Sequence, residues 1–133
     1  MSAPGQLTPA EQAVGSQTAT WAAREALLSA CLAVPGLRAY LPGDDLEPPA
    51  VLVSPPQLTW RTASSQPSEA VFQVVVVVGA SERALEQLDA LVPQVAEAID
   101  GSGVGVVRTA EPGTWDVGAI PLPAYFIETE VAL

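Results

Sequence analysis

With 133 residues and a mass of 13.7 kDa, the chain has room for one compact domain and little more. Five arginines face fifteen carboxylates, with no lysine and no histidine; the formal net charge is −10, while 49% of residues are hydrophobic and 15% charged. This is not the composition of a disordered acidic tail. It is also poor material for the basic surface that phosphate backbones require, and it lacks the commonest general base and metal ligand near neutral pH.

The single Cys31 allows no internal disulfide and no thiolate cluster, and in Ser-Ala-Cys-Leu-Ala it is expected to be a small buried apolar residue. The opening MSAPGQLTPAEQ has neither the basic region nor the apolar segment of a secretory leader, and no run approaches the length of a membrane span. A soluble, intracellular product without membrane partners is expected.

In chain order, residues 1–7 are polar and read as an arm, and 8–133 as the single domain. Thr8-Pro9-Ala10-Glu11 has the form of a capping box. An alanine-rich helix is predicted from there to about Ala33, firmest from Thr20 onward, with Val14, Trp21, Leu28 and Leu32 along one face and Pro35-Gly36 as its stop. A short strand, Leu37 to Tyr40, precedes the loop Pro42 to Pro49. Ala50 to Val53 reads as a second strand, with Leu58 to Arg61 as an extension beyond Pro55-Pro56, and Thr62 to Ser68 as a hairpin loop. Val71 to Val78 is the most strand-like segment. Phe72, Val74, Val76 and Val78 share one face and Val71, Gln73, Val75 and Val77 the other, so it belongs mid-sheet or under cover.

Ser81 is placed as the N-cap of a second helix whose stripe is Leu85, Leu88, Val92, Val95 and Ile99, with a kink or break at Pro93 and an end at Asp100-Gly101. Val104 to Arg108 is a strand and Pro112 to Pro121 an irregular crossing. In the last strand Tyr125, Ile127 and Val131 face inward, with Glu128 and Glu130 facing water. The order predicts an α+β fold: a two-layer sandwich, a mostly antiparallel β-sheet with two main helices packed on one face.

Apparent motifs dissolve on inspection. Gly79-x-Ser81 lacks the closing glycine of a nucleophile elbow, since Arg83 stands there, and no histidine could activate the serine. Gly101-x-Gly103-x-Gly105 follows a helix and leads into a strand, the reverse of a dinucleotide loop. Asp44, Asp45 and Glu47 are close enough to invite a calcium ion, but the twelve-residue calcium-loop pattern is missing, so a solvated acidic loop is expected. Carboxylate pairs for acid–base work occur in any acidic chain, and nothing marks one here. No catalytic, cofactor-binding or metal-ligating residue is nominated. Among the aromatics, Trp21, Trp60, Phe72 and Tyr125 fall on periodic faces and are expected in the core. Trp115 has no such periodicity and is divided between closing the core and anchoring a partner.

The order of features resembles the tail terminator, or tail-completion, proteins of long-tailed bacteriophages over about residues 20–133. An N-terminal helix runs into Pro-Gly-Leu-Arg-Ala-Tyr (Pro35 to Tyr40); then come Pro-Pro-Ala-Val-Leu-Val (Pro48 to Val53), the long valine strand and the leucine-striped helix (Glu82 to Ile99). The chain closes on a short valine strand, a crossing with glycine and tryptophan, and Tyr-Phe-Ile-Glu-Thr-Glu-Val (Tyr125 to Val131). The resemblance implies a structural virion protein and no enzyme. Copies would form a ring, usually hexameric, at the head-proximal end of the tail tube, made in the host cytoplasm and ending at the tail–neck junction. Its partners would be further copies, the major tail tube protein and a neck or head-closure connector, with DNA only passing through the lumen. Six copies at −10 each carry −60, an acidic lumen to which DNA would not stick.

The loops Pro42 to Pro49 and Thr62 to Ser68, the crossing Pro112 to Pro121 and the N-terminal arm are the expected contact surfaces. Loop position and charge nominate Asp44, Asp45, Glu47, Arg61, Arg108 and Trp115 as interface residues. A neighbouring neck or head-closure connector, a small-ligand binding module and a carboxylate enzyme are the alternatives.

Overall fold

The computed structural model describes residues 18–63 and 66–133. The expected arm, the Thr8 capping box and the first helical turns lie outside the described residues. Helix α1 spans Ala19–Cys31 and is capped by Thr18, whose Oγ1 accepts a hydrogen bond from the Trp21 amide at 3.1 Å.

Its buried stripe is Ala23, Leu27 and Cys31, one position off the expected line. Small residues let the helix lie close to the sheet, so they, and not the heptad-spaced large ones, mark the inner face. Leu28 is half-buried, and Leu32 stands 52% exposed because the helix ends just before it. Trp21 is half-buried, and the Arg24 guanidinium lies over its ring at 5.5 Å from the centroid.

The strands are β1 (Arg38–Tyr40), β2 (Ala50–Val53), β3 (Gln57–Thr59), β4 (Glu69–Val77), β5 (Val106–Val117) and β6 (Ile120–Ala132), and helix α2 (Ala84–Ser102) lies between β4 and β5. They form one six-stranded sheet in the order β1-β2-β4-β6-β5, with β3 pairing on β4 beyond the end of β2. All pairings are antiparallel except that of β1 with β2. The predicted α+β sandwich, mostly antiparallel with its helices on the sheet, is the fold observed.

The valine strand β4 sits mid-sheet, as its two apolar faces require. Phe72, Val74, Val76 and Val78 join Val51, Val53, Ile127 and Val131 under α1 and α2, which contribute Leu27, Cys31, Leu88, Val95 and Ile99. Each fully buried Leu, Ile or Val side chain in this layer stabilises the fold by about 1.5–3 kcal/mol relative to exposure. Tyr125, Ile127 and Val131 face this core as expected.

Several expectations are corrected. Trp60 is 49% exposed, because β3 ends at Thr59 and the alternation that would have turned the ring inward stops there. Helix α2 starts at Ala84, not at Glu82: the Ser81 Oγ accepts from the Arg83 amide in a preceding turn, and the N-cap residue is Arg83, without a side-chain cap bond. Ala84 takes the buried place assigned to Leu85, which is 66% exposed. The helix runs unbroken through Pro93 and ends at Ser102, two residues past Asp100, with Gly103 in a left-handed C-cap.

The largest correction is the stretch Pro112 to Pro121, which is no irregular crossing. It lies in a long hairpin, β5 and β6 joined by the two residues Gly118 and Ala119. Pro112 is tolerated because β5 is the sheet edge, and Pro121 and Pro123 lie past the last β4–β6 rung, Val77↔Ala124.

Candidate interaction face

Among the described residues both helices pack on one face of the sheet, and the six nominated residues belong to the other, the helix-free face. Strand alternation puts Ala50 and Leu52 of β2, Val75 and Val77 of β4, Leu122, Ala124 and Phe126 of β6, and Trp115 and Val117 of β5 on this helix-free face. They form a second apolar cluster with Leu46 and Tyr40.

Trp115 therefore covers sheet. Its register partner is Leu122, and its ring lies 6.5 Å from that of Phe126, tilted by 47°. Phe126 in turn leans over Gly113, where a Cβ would come within 2.7 Å of the ring; glycine there is what lets the aromatic lie flat on the hairpin. Trp115 and Phe126 both remain half-buried, so part of this aromatic surface faces solvent.

The loop between the parallel strands β1 and β2, residues 41–49, crosses this same face. Leu46, only 7% exposed, plugs it into the apolar cluster. Asp44 is committed locally, its Oδ2 accepting from the Leu41 amide at 2.9 Å. Glu47 forms an ion pair with Arg38 and donates its amide to the Tyr40 hydroxyl at 3.2 Å. The hydrogen bond to Glu47, then that to Tyr40, raises the Arg38 pKa further above its ordinary value, so this guanidinium stays charged. Asp45 is exposed between them.

Further along the face the apolar cluster gives way to carboxylates. Glu69 of β4, Glu128 and Glu130 of β6 and Glu111 of β5 alternate onto the same side as Val75. Arg61 pairs with Glu69, and Arg108, at the bulge where the β5–β6 register shifts, pairs with Glu130 at 2.9 Å. The Thr109 hydroxyl donates to Glu128 at 3.4 Å. These pairs are solvent-exposed and each contributes little to stability.

The six nominated residues do not converge on a single cluster. Asp44, Asp45, Glu47 and Trp115 belong with the apolar half, Arg61 and Arg108 with the acidic half. Four of the five arginines sit in ion pairs, Arg83 with Glu86 being the fourth, and the fifth, Arg24, donates to the Val53 carbonyl at 3.2 Å. Sequence reasoning missed Tyr40, Leu46, Phe126 and Glu128. Only the last two carried a signal, the alternation of β6 itself.

Elsewhere the chemistry is sparse. Cys31 is fully buried, and burial pushes its thiol up to about 12. Among the described residues no group of three or more Cys, Asp or Glu could hold a metal ion, and no helix is long and apolar enough to cross a membrane. An open depression of about 240 Å³ lies where the end of α1 meets α2, with Gln94 and Glu97 as its polar side chains. No protein-family model matches the chain, and no curated protein is significantly similar to it.

Proposed function

We propose that this chain is a structural subunit of the tail-terminator kind: copies close into a ring, six being the usual number, that caps the head-proximal end of a phage tail tube and offers its free surface to the neck. The observation that carries this reading is the helix-free face. Among the described residues one layer of helices closes one side of the sheet, while the other side presents a half-exposed aromatic patch, the 41–49 loop and a row of carboxylates, two of them paired with arginines. A broad sheet surface of that kind suits docking against a neighbour better than it suits enclosing a small ligand, which calls for a concave pocket. The order of the elements from α1 to α2 supports the same reading, since it follows the order on which the resemblance to tail terminators rests, while the expected crossing after α2 is instead the β5–β6 hairpin. The surplus of carboxylates over arginines would keep passing DNA from adhering.

In this account the protein works by position. Its neighbours would be further copies, the tube protein below and a connector above, in the virion after assembly in the host cytoplasm. Deleting the gene from the phage that encodes it tests this. A terminator's absence gives overlong, headless tails. Tails of normal length lacking heads would instead assign the chain to the neighbouring head-closure connector, and normal virions would remove it from the tail altogether.

A further inference from the structure

We propose that β1 and the 41–49 loop form a separately opening unit, a strap over part of the helix-free face. The ties that order it stay within residues 38–49. The Leu41 amide donates to Asp44 Oδ2 at 2.9 Å and the Asp44 amide to the Leu41 carbonyl at 3.1 Å. The Glu47 amide donates to the Tyr40 hydroxyl at 3.2 Å, the Arg38 amide to the Pro49 carbonyl at 3.4 Å, and Arg38 pairs with Glu47.

Among the described residues this unit is held to the rest of the molecule by the three-residue parallel pairing of β1 with β2, the half-buried Ala39 and Tyr40, Pro48 beside Gly79, and the Leu46 side chain, 7% exposed. It is bounded by Leu37 and Ala50, both buried, which stay anchored when the segment between them lifts. A segment rich in internal ties and poor in apolar anchors opens as one body, well below the free energy of global unfolding. Lifting it bares the outer edge of β2 and the part of the apolar cluster that Leu46 and Tyr40 cover. The opening does not depend on the proposed function.

Native-state hydrogen exchange on the isolated full-length chain tests the strap independently of any assembly. The amides of Arg38, Leu41, Asp44 and Glu47 should share one opening constant. They should exchange on the order of 100-fold faster, after correction for intrinsic rates, than the β4–β6 rungs around Val75 and Phe126. Leu46→Ala should raise exchange at all four by about 30-fold. Should that variant fold poorly, Tyr40→Phe, which removes the acceptor for the Glu47 amide, should raise all four by about fivefold. Ile99→Val, on α2 and fully buried, should speed the β4–β6 amides while leaving these four unchanged. The proposal is overturned if the four amides follow Ile99→Val together with β4, or if they respond to the Leu46 or Tyr40 substitution by unrelated factors.

Discussion

Gly105 joins the end of α2 to β5, and replacing it by alanine should be among the most disruptive single-methyl additions in the chain. A Cβ there would lie 2.8 Å from the carbonyl oxygen of Glu130 and 3.0 Å from methyl carbons of both Thr129 and Val131. The first contact is with backbone of β6, which is pinned between β4 and β5, so β6 cannot yield. The start of β5 must move instead, straining the Val106↔Glu130 rung, the hydrogen bond from the Val107 amide to Asp100 at 3.2 Å, and the Arg108–Glu130 pair. Over-packing of this kind costs about 1–3 kcal/mol. For a domain of this size that lowers Tm by about 4–12 °C, at roughly 4 °C per kcal/mol. Gly101→Ala is the internal control. It lies within α2 with nothing within 4 Å of its added Cβ, so it should stabilise by up to about 1 kcal/mol. Urea titrations with unchanged m-values measure both. A Gly105→Ala protein within about 0.5 kcal/mol of the parent would refute the close approach of this segment to β6.

Three further outcomes are expected. Cys31, buried with its thiol raised from 9.0 to about 12, makes folding proton-linked: the folded chain keeps a proton that the unfolded chain loses, so its contribution is intact below pH 9 and is lost between pH 9 and about 12. Compared with Cys31→Ala, the parent should lose about 1.4 kcal/mol of stability per pH unit in that window, read from paired urea titrations. Trp115→Ala should cost about 1–2 kcal/mol, since the ring is half-buried against Phe126, and should abolish self-association far more completely than it lowers the urea midpoint. Pro93→Ala restores a helical N–H at an exposed position inside α2 and should raise stability by about 1–2 kcal/mol in the same titration.

The architecture was legible where burial produces periodicity. The valine strand announced both its faces and its central place, and the inward face of β6 followed from Tyr125, Ile127 and Val131. What misled was residue size and punctuation. In α1 the inner stripe is built from Ala23 and Cys31 as well as Leu27, so looking for large apolar residues shifts the face by one position. In the hairpin, Pro112, Gly113 and Pro121 look like breakers. Yet Pro112 sits on the edge strand β5, Pro121 lies past the last β4–β6 rung, and Gly113 is where Phe126 must lie. The helix-free face was harder still. The sequence offered its charges and Trp115 as isolated loop features, and only the register, Trp115↔Leu122 and Val106↔Glu130, shows that they share one surface. Leu46 gave no signal at all, because one leucine among acids and prolines has no period.

The central claim, that this chain works by docking beside copies of itself, is tested most directly by the mass and projection image of the purified protein. Light scattering after size exclusion, over a range of concentrations and with or without the tail tube protein that the proposed function makes its partner, should give a closed ring of about six copies. A single-chain mass under every one of these conditions would contradict it.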